Sequence, residues 1–380
     1  MKKTAIVFML ILAFALAFTG CQKKEDAGAA AAVDTSPIVI GVAGAHSGDL
    51  ASYGLPSVNA AELVVEMYNA KGGVLGRQIK LVIEDDQCKE EVASNTAAKV
   101  VGEDVVAVIG HICSGATEAA LSIYKDSEVI AISPSATKTS LTLGGTYPNF
   151  LRTIAHDDAQ GLLAGTFIVE ELGLKKVAVL HDKGAYGKGF AEVCKTILED
   201  AGVEVVLFEG LTVGAPDYSA AINKIGNSGA EGVVWGGYHP EASKLVTQMR
   251  SKGMDLPVVS DDGIKDPTFI EVAKENAEGV YATGPQDTTS NPMAIAAKEA
   301  HIAKYGEDYG AFFLNAYAAT IAVLNAIEKA GSTDYDKVLA ALQSEYVETP
   351  LGKISFDEKG DVIGFGFSVF QVKDGVYVEL

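Results

Sequence analysis

The stretch VVAVIGHICSGATEAA, residues 105–120, puts a histidine, a cysteine and a serine into one turn. Its β-branched run (Val105, Val106, Val108, Ile109) reads as a buried strand. The apolar spacing through Ala119, Ala120, Leu121 and Ile123 reads as a helix that follows at once. Three chemistries suit the intervening His111, Cys113 and Ser114. They are a nucleophile, a redox thiol, or a cradle for a small anion at a helix start, where backbone N–H groups converge.

Five other strand-to-helix turns share the last of these chemistries: GAHSGDLASYG (44–54), ISPSATKTS (132–140), HDKGAYGKG (181–189), GGYHPE (236–241) and SDDGIKD (260–266). Hydroxyls and glycines open helices at Ser114 and near Thr137, which favours a carboxylate. Tyr53, Tyr186 and Tyr238 sit in three separate turns and each offers an apolar ring with a polar tip. Asp261 and Asp262 stand at another strand end, where a carboxylate suits an ammonium group. An anion holder, a cation holder and aromatic walls together describe a pocket for an α-amino acid or a close analogue. Each residue also has a plainer reading. Ser114 on its own reads as an N-cap, the tyrosines as half-buried rim, Asp262 as the cap of the turn before a helix beginning near Pro267, and His111 as hydrogen-bonded support. The case rests on their recurrence at strand ends in both halves of the chain.

Competing chemistries find little support. The chain contains no G-x-S-x-G, H-E-x-x-H or C-x-x-C pattern, and its glycine-rich turns do not match G-x-G-x-x-G. Without G-x-x-x-x-G-K-[ST] it is not expected to bind nucleotide. The six histidines (46, 111, 156, 181, 239, 301) lack metal-ligand spacing, so neither metal nor cofactor is expected, and an enzyme is not. A formal charge of −20 argues against nucleic acid as a partner.

The elements that must position these turns alternate regularly. Strands are predicted at 38–42, 79–84, 105–109 and 129–133, with helices at 60–69, 92–101 and 116–125 between them. The pattern restarts with strands at 176–181, 203–208, 232–236 and 257–260 and helices at 161–172, 191–201, 218–226 and 242–251. After a strand at 280–283 come helices at 294–305, 311–330 and 335–346, then a β segment with a turn at 357–361. This is the pattern of two doubly wound parallel-sheet α/β lobes, with the ligand expected at the carboxyl ends of the strands in a cleft between them.

Cysteines and the amino terminus place the chain outside the cytoplasm. Lys2 and Lys3 precede a short apolar run from Ile6 to Phe18, too short for the roughly 20 residues of a comfortable membrane span. Thr19-Gly20-Cys21 resembles a lipoprotein signal, so residues 1–20 are expected to be removed and Cys21 lipidated. The alternative is an ordinary secretory signal cut within the alanine-rich stretch 27–32. Residues 21–36 read as a flexible tether. Cys88 and Cys113 each follow a predicted strand of one βαβ unit and are expected to pair in an oxidising compartment, with stabilisation of roughly 3.5 kcal/mol. The alternative is a free, reactive Cys113. Cys194 reads as a small buried residue of a helix.

GHICSGAT, ISPSATKTSLT, HDKGAYGKG, GGYHPE and FDEKGDVIGFGFSVFQ, in this order and spacing, resemble the leucine/isoleucine/valine-binding periplasmic proteins of ABC importers over about residues 38–371. The resemblance implies two Rossmann-like lobes joined by three crossovers: 37–156 with 287–366, and 157–286 with 367–380. It implies closure about a hinge and a Cys88–Cys113 disulfide. Carboxylate contacts fall on Ser114, Ala136 and Thr137, further ligand contacts on Cys113 and Ser135, and pocket aromatics on Tyr53, Tyr186 and Tyr238. The ammonium-binding acid falls on Asp262, where the leucine-type binders carry glutamate. The implied function is capture of an amino acid, above all a branched-chain one, by a lipid-anchored monomer. It would deliver the ligand to membrane permease subunits served by a separate cytoplasmic ATPase. An amide, urea or polyamine ligand, or a sensing role, is the alternative on the same fold.

Overall fold

The computed structural model describes residues 34–380. The expected signal segment, Cys21 and nearly all of the tether lie outside the described residues. The first elements are β1 (Ile38–Gly44), α1 (Ala51–Ala70), β2 (Ile79–Asp85), α2 (Glu90–Val101), β3 (Ala107–Gly110), α3 (Ser114–Asp126), β4 (Ile130–Ser133), the single turn α4 (Ser140–Leu143) and β5 (Phe150–Arg152). They build a wholly parallel sheet of order β2-β1-β3-β4-β5. The reversal of direction outward from β1 and β3 is the switch point at which open parallel sheets leave a crevice.

The pattern repeats with α5 (Asp157–Glu170), β6 (Lys176–His181), α6 (Ala185–Asp200), β7 (Glu204–Gly210), α7 (Ser219–Ser228), β8 (Gly232–Gly236), α8 (His239–Ser251), β9 (Val258–Ser260), α9 (Pro267–Ala273) and β10 (Tyr281–Pro285). Then come α10 (Pro292–Tyr305), α11 (Phe313–Ala330), α12 (Tyr335–Ser344), and the strands β11 (Val347–Thr349), β12 (Gly352–Phe356), β13 (Val362–Ile363), β14 (Phe367–Lys373) and β15 (Val376–Glu379). The second sheet runs β15-β14-β10-β9-β8-β6-β7, parallel from β10 to β7 and closed by the antiparallel pair β14 and β15. A small antiparallel sheet holds β11, β12 and β13.

Both faces of each large sheet are covered, which is why their central strands are apolar without alternation. In the first lobe Ala107 and Ile109 point toward α1 and α11, while Val108 between them packs with Val100 of α2 and Leu121 of α3. In the second, Ala178 and Leu180 meet α7, α8 and α9, and Val177 and Val179 meet α5 and α6. Helices α10 to α12 return to the first lobe's core, and α11 is buried at every position from Phe313 to Leu324. The chain passes between the lobes three times: after β5, after β10 and after β13.

Two helices begin earlier than their apolar spacing predicts. Helix α1 starts at Ala51 rather than near 60, running through Gly54 and Pro56, and α6 starts at Ala185 rather than 191. Glycine and proline punctuate turns in a sequence, but here tertiary packing uses them within first turns. A Cβ on Gly54 would lie 1.9 Å from the Ala45 carbonyl oxygen, so only glycine lets α1 approach the end of β1 this closely.

Candidate functional site

Early helix starts place the tyrosines. Tyr53 lies in the first turn of α1, Tyr186 in the first turn of α6, and Tyr238 is the residue that opens α8. All three stand beyond carboxyl ends of strands, and their rings converge. Tyr53 and Tyr238 are 6.0 Å apart between centroids, Tyr186 and Tyr238 5.2 Å, and Tyr53 and Phe312 5.8 Å. The lobes meet here: the Tyr53 hydroxyl donates to the Gly263 carbonyl at 2.6 Å, and Ser52 Oγ lies 3.4 Å from His239 Nε2. A small cavity is enclosed between them. Tyr53, Ile112, Ser114, Ser135 and Phe312 line it from the first lobe, and Tyr186, Tyr238, Asp262 and Gly263 from the second.

The first-lobe wall presents hydrogen-bond donors at the start of a helix. Ser114 is the first residue of α3, while Cys113 occupies the capping position in extended conformation. The Ser114 hydroxyl therefore does not cap its own helix. Its oxygen accepts the Lys138 N–H at 3.3 Å, which leaves the hydroxyl hydrogen available as a donor. Ser135 Oγ donates to the Ile112 carbonyl at 2.8 Å, tying the two turns together. Cys113 is bonded to Cys88, with their Cα atoms 5.5 Å apart, and so is no thiol nucleophile. His111 is buried between Asp86 Oδ2 and the Tyr124 hydroxyl, the latter at 2.8 Å, and supports the turn from behind. Cys113, Ala136 and Thr137 stand next to the cavity without lining it. Cys194 is buried on α6, where burial pushes its thiol far up.

The second-lobe wall is acidic. Asp262 is buried and accepts from the Tyr186 hydroxyl and, at 2.9 Å, from Gln160 Nε2. Burial raises its carboxyl to about 6, against the pull of those two hydrogen bonds. Asp266, not Asp262, caps α9 by accepting the Thr268 N–H at 2.8 Å. Asp261 is spent on the turn itself, accepting from Gly237 N at 2.8 Å and Gly263 N at 3.1 Å. Asp157, in the first turn of α5, is buried and faces Thr137 and Asp262. Burial first, and Asp262 in addition, raise its carboxyl to about 7. Both its oxygens and Thr137 Oγ1 lack a hydrogen-bond partner of good geometry. Buried groups of this kind favour a ligand that brings donors and acceptors with it.

Sequence reasoning did not single out Phe312, Ile112, Gly263, Gln160 or Asp157. Phe312 has a left-handed backbone at φ 61° where α11 begins, a placement no apolar periodicity signals. Gln160 and Asp157 lie in HDDAQG, ahead of the helix expected at 161–172, whereas that helix in fact begins at Asp157.

Two parallel-sheet lobes enclosing an aromatic cavity, with anion donors on one wall and an acid on the other, define a two-lobed binding fold of the solute-binding class. The periplasmic binding protein family matches residues 37–376, and the chain belongs to that family. It is 41% identical over 340 residues to the leucine-, isoleucine-, valine-, threonine- and alanine-binding protein of Pseudomonas aeruginosa, covering 90% of each chain. It is 34% identical to the Leu/Ile/Val-binding protein of Escherichia coli K12, covering 94% of this chain and 93% of that one. Among solved structures, the branched-chain amino acid transporter substrate binding protein LivJ from Streptococcus pneumoniae, in complex with isoleucine, superposes with a TM-score of 0.80 at 31% identity. That match covers 90% of this chain and all of the other. The leucine binding protein LivK from Thermotoga maritima superposes at 0.84 with 26% identity, covering 90% and 97%.

Proposed function

We propose that the protein is the extracytoplasmic receptor of an ABC importer and captures a branched-chain or other aliphatic amino acid between its lobes. One observation carries the reading: the free hydroxyl donor of Ser114 and the carboxylate of Asp262 face one aromatic-walled cavity from opposite lobes. A zwitterion placed between them satisfies both, and its apolar side chain meets Tyr53, Tyr186, Tyr238 and Phe312. Ser114, Ser135, Ala136 and Thr137, with the turn fixed by Cys113, hold the carboxylate. Asp262 with Tyr186 holds the ammonium group. The similar proteins of Pseudomonas aeruginosa and Escherichia coli are binders of leucine, isoleucine and valine, which supports this assignment.

The lobes are 37–156 with 287–366 and 157–286 with 367–380, closing about the three passages. The chain works as a monomer without catalysis, tethered through lipid on Cys21 at the outer face of a membrane, and hands its ligand to permease subunits powered by a separate ATPase. The test is calorimetric titration of the mature chain carrying Cys21→Ser, unfolded and refolded to strip bound ligand, against the twenty amino acids, short amides, urea and polyamines. Tight binding of leucine, isoleucine or valine is expected. Heat only from an amide, urea or a polyamine would move the ligand to another class on the same fold, with the shorter Asp262 as the cause.

A further inference from the structure

The turn that carries Ala136 and Thr137 hangs on a guanidinium that lines no part of the cavity. Arg152, the last residue of β5, is fully buried. Its Nη1 donates to the carbonyls of Ala136 at 3.2 Å and Lys138 at 3.0 Å. Its Nε donates to Asp361 Oδ1 at 2.5 Å and its Nη2 to Thr142 Oγ1. Thr142 in turn donates to Asp361 Oδ2 at 2.9 Å, so the fork is held on both sides.

The consequence is the direction in which each peptide group of the turn faces. Behind the turn, Arg152 takes the carbonyls of 136 and 138, and the Asp157 N–H takes that of Thr137 at 2.8 Å. The N–H groups of Ser135 and Ala136 go to Ser133 Oγ, at 3.2 and 2.8 Å, and that of Lys138 to Ser114 Oγ. Among the described residues this leaves the Thr137 N–H as the turn's donor without an acceptor in a fully buried position, while the Thr137 hydroxyl lies beside the Asp157 carboxylate. Buried donors without acceptors are rare and costly, and a ligand carboxylate supplies acceptors.

We propose that Arg152, clamped by Asp361 and Thr142, is a positioning residue for recognition of the ligand's carboxylate. It pulls the carbonyls of the turn backward, so that the Thr137 N–H turns forward, and it adds positive potential behind it. Asp361 sits immediately before β13 and the third passage between the lobes, so the clamp also ties the carboxylate turn to that connection. The inference rests on the reading of residues 136–138 as part of the carboxylate site.

A merely structural Arg–Asp pair would weaken all ligands alike, so the test compares leucine with leucinol, which keeps the ammonium group and side chain but has no carboxylate. Affinities are measured for the wild type, Arg152→Lys, Thr142→Val and Ser114→Ala, with melting curves to establish folding. Loss of the guanidinium fork in Arg152→Lys is expected to lower leucine affinity at least about tenfold, and Thr142→Val a few-fold, with leucinol nearly unmoved. If Arg152→Lys does not fold, Thr142→Val decides alone. Parallel losses for leucine and leucinol, or an unmoved leucine affinity in Thr142→Val while Ser114→Ala loses its own, would overturn this role alone. Unchanged leucine affinity in Ser114→Ala would remove the carboxylate reading and the inference with it.

Discussion

At the scale of residues, the proposed site matches donors to one end of a ligand and acceptors to the other. Ser114→Ala removes a single donor to a charged group, and amino-acid affinity is expected to fall by about 1–3 kcal/mol in a calorimetric titration. Unchanged affinity would place Ser114 outside the site. The acidic wall predicts a pH dependence. Burial holds the Asp262 carboxyl up at about 6 and that of Asp157 at about 7, both above the ordinary value of 3.8. At these two carboxyls the folded state therefore binds more protons than the unfolded state between about pH 4 and 7, and their contribution to stability is fullest at the acid end of that window and declines as pH rises. A bound ammonium group reverses this locally by favouring ionised Asp262. Binding should release a proton, and affinity should rise about tenfold from pH 5 to pH 7. Titrations in two buffers of different ionisation enthalpy read the released proton directly. A pH-independent affinity would separate Asp262 from the ammonium group.

At the scale of elements, the controlling feature is where helices begin relative to strand ends. Tyr53 reaches the cavity because Gly54 lets α1 lie against the Ala45 carbonyl. Gly54→Ala forces that first turn outward and is expected to destabilise the fold by about 1–3 kcal/mol, with a matching loss of ligand affinity. A melting curve and a titration on one sample would check both, and an unshifted melt would contradict the close approach. The Cys88–Cys113 bridge fixes the other helix start, that of α3, to the turn after β2. Thiol titration of the oxidised, denatured Cys21→Ser chain should find one free group, Cys194, and three would reopen the redox reading of the turn. The apolar spacing of the sequence located nearly every helix, yet it missed the first turns of α1 and α6. Gly54, Pro56 and Gly187 read locally as breakers, and only neighbouring backbone makes them acceptable inside a helix.

At the scale of the whole molecule, three passages join lobes whose facing walls are each incomplete alone. Ligand capture should therefore couple to closure, and the radius of gyration from solution scattering should fall when a saturating amino acid is added. An unchanged radius at saturation would contradict the clam motion. Trp235, the sole tryptophan, does not face the cleft. It is buried in the second lobe's core among Leu180, Tyr218 and Leu245. Its emission is expected to stay almost constant while scattering changes.

Alternation of β-branched runs with amphipathic helices was enough, in the sequence alone, to establish two doubly wound lobes, because that period is written locally in side-chain type. The strand-end turns that hold Ser114, the three tyrosines and Asp262 were legible for the same reason: glycine, hydroxyl and acid residues cluster where strands stop. Which of these residues share a cavity was decided only in three dimensions. Asp262 meets Gln160 across a hundred residues, Tyr53 meets Gly263 across two hundred, and Arg152 finds Asp361 at a similar distance along the chain. Such pairings depend on sheet order and on the three passages between lobes, which no short-range pattern encodes. Residue type alone does not separate Asp261 from Asp262, which are adjacent and identical; in the structure one 3₁₀ turn aims the Asp261 carboxylate at the N–H groups of Gly263 and Gly237 and sets Asp262 in the cavity wall.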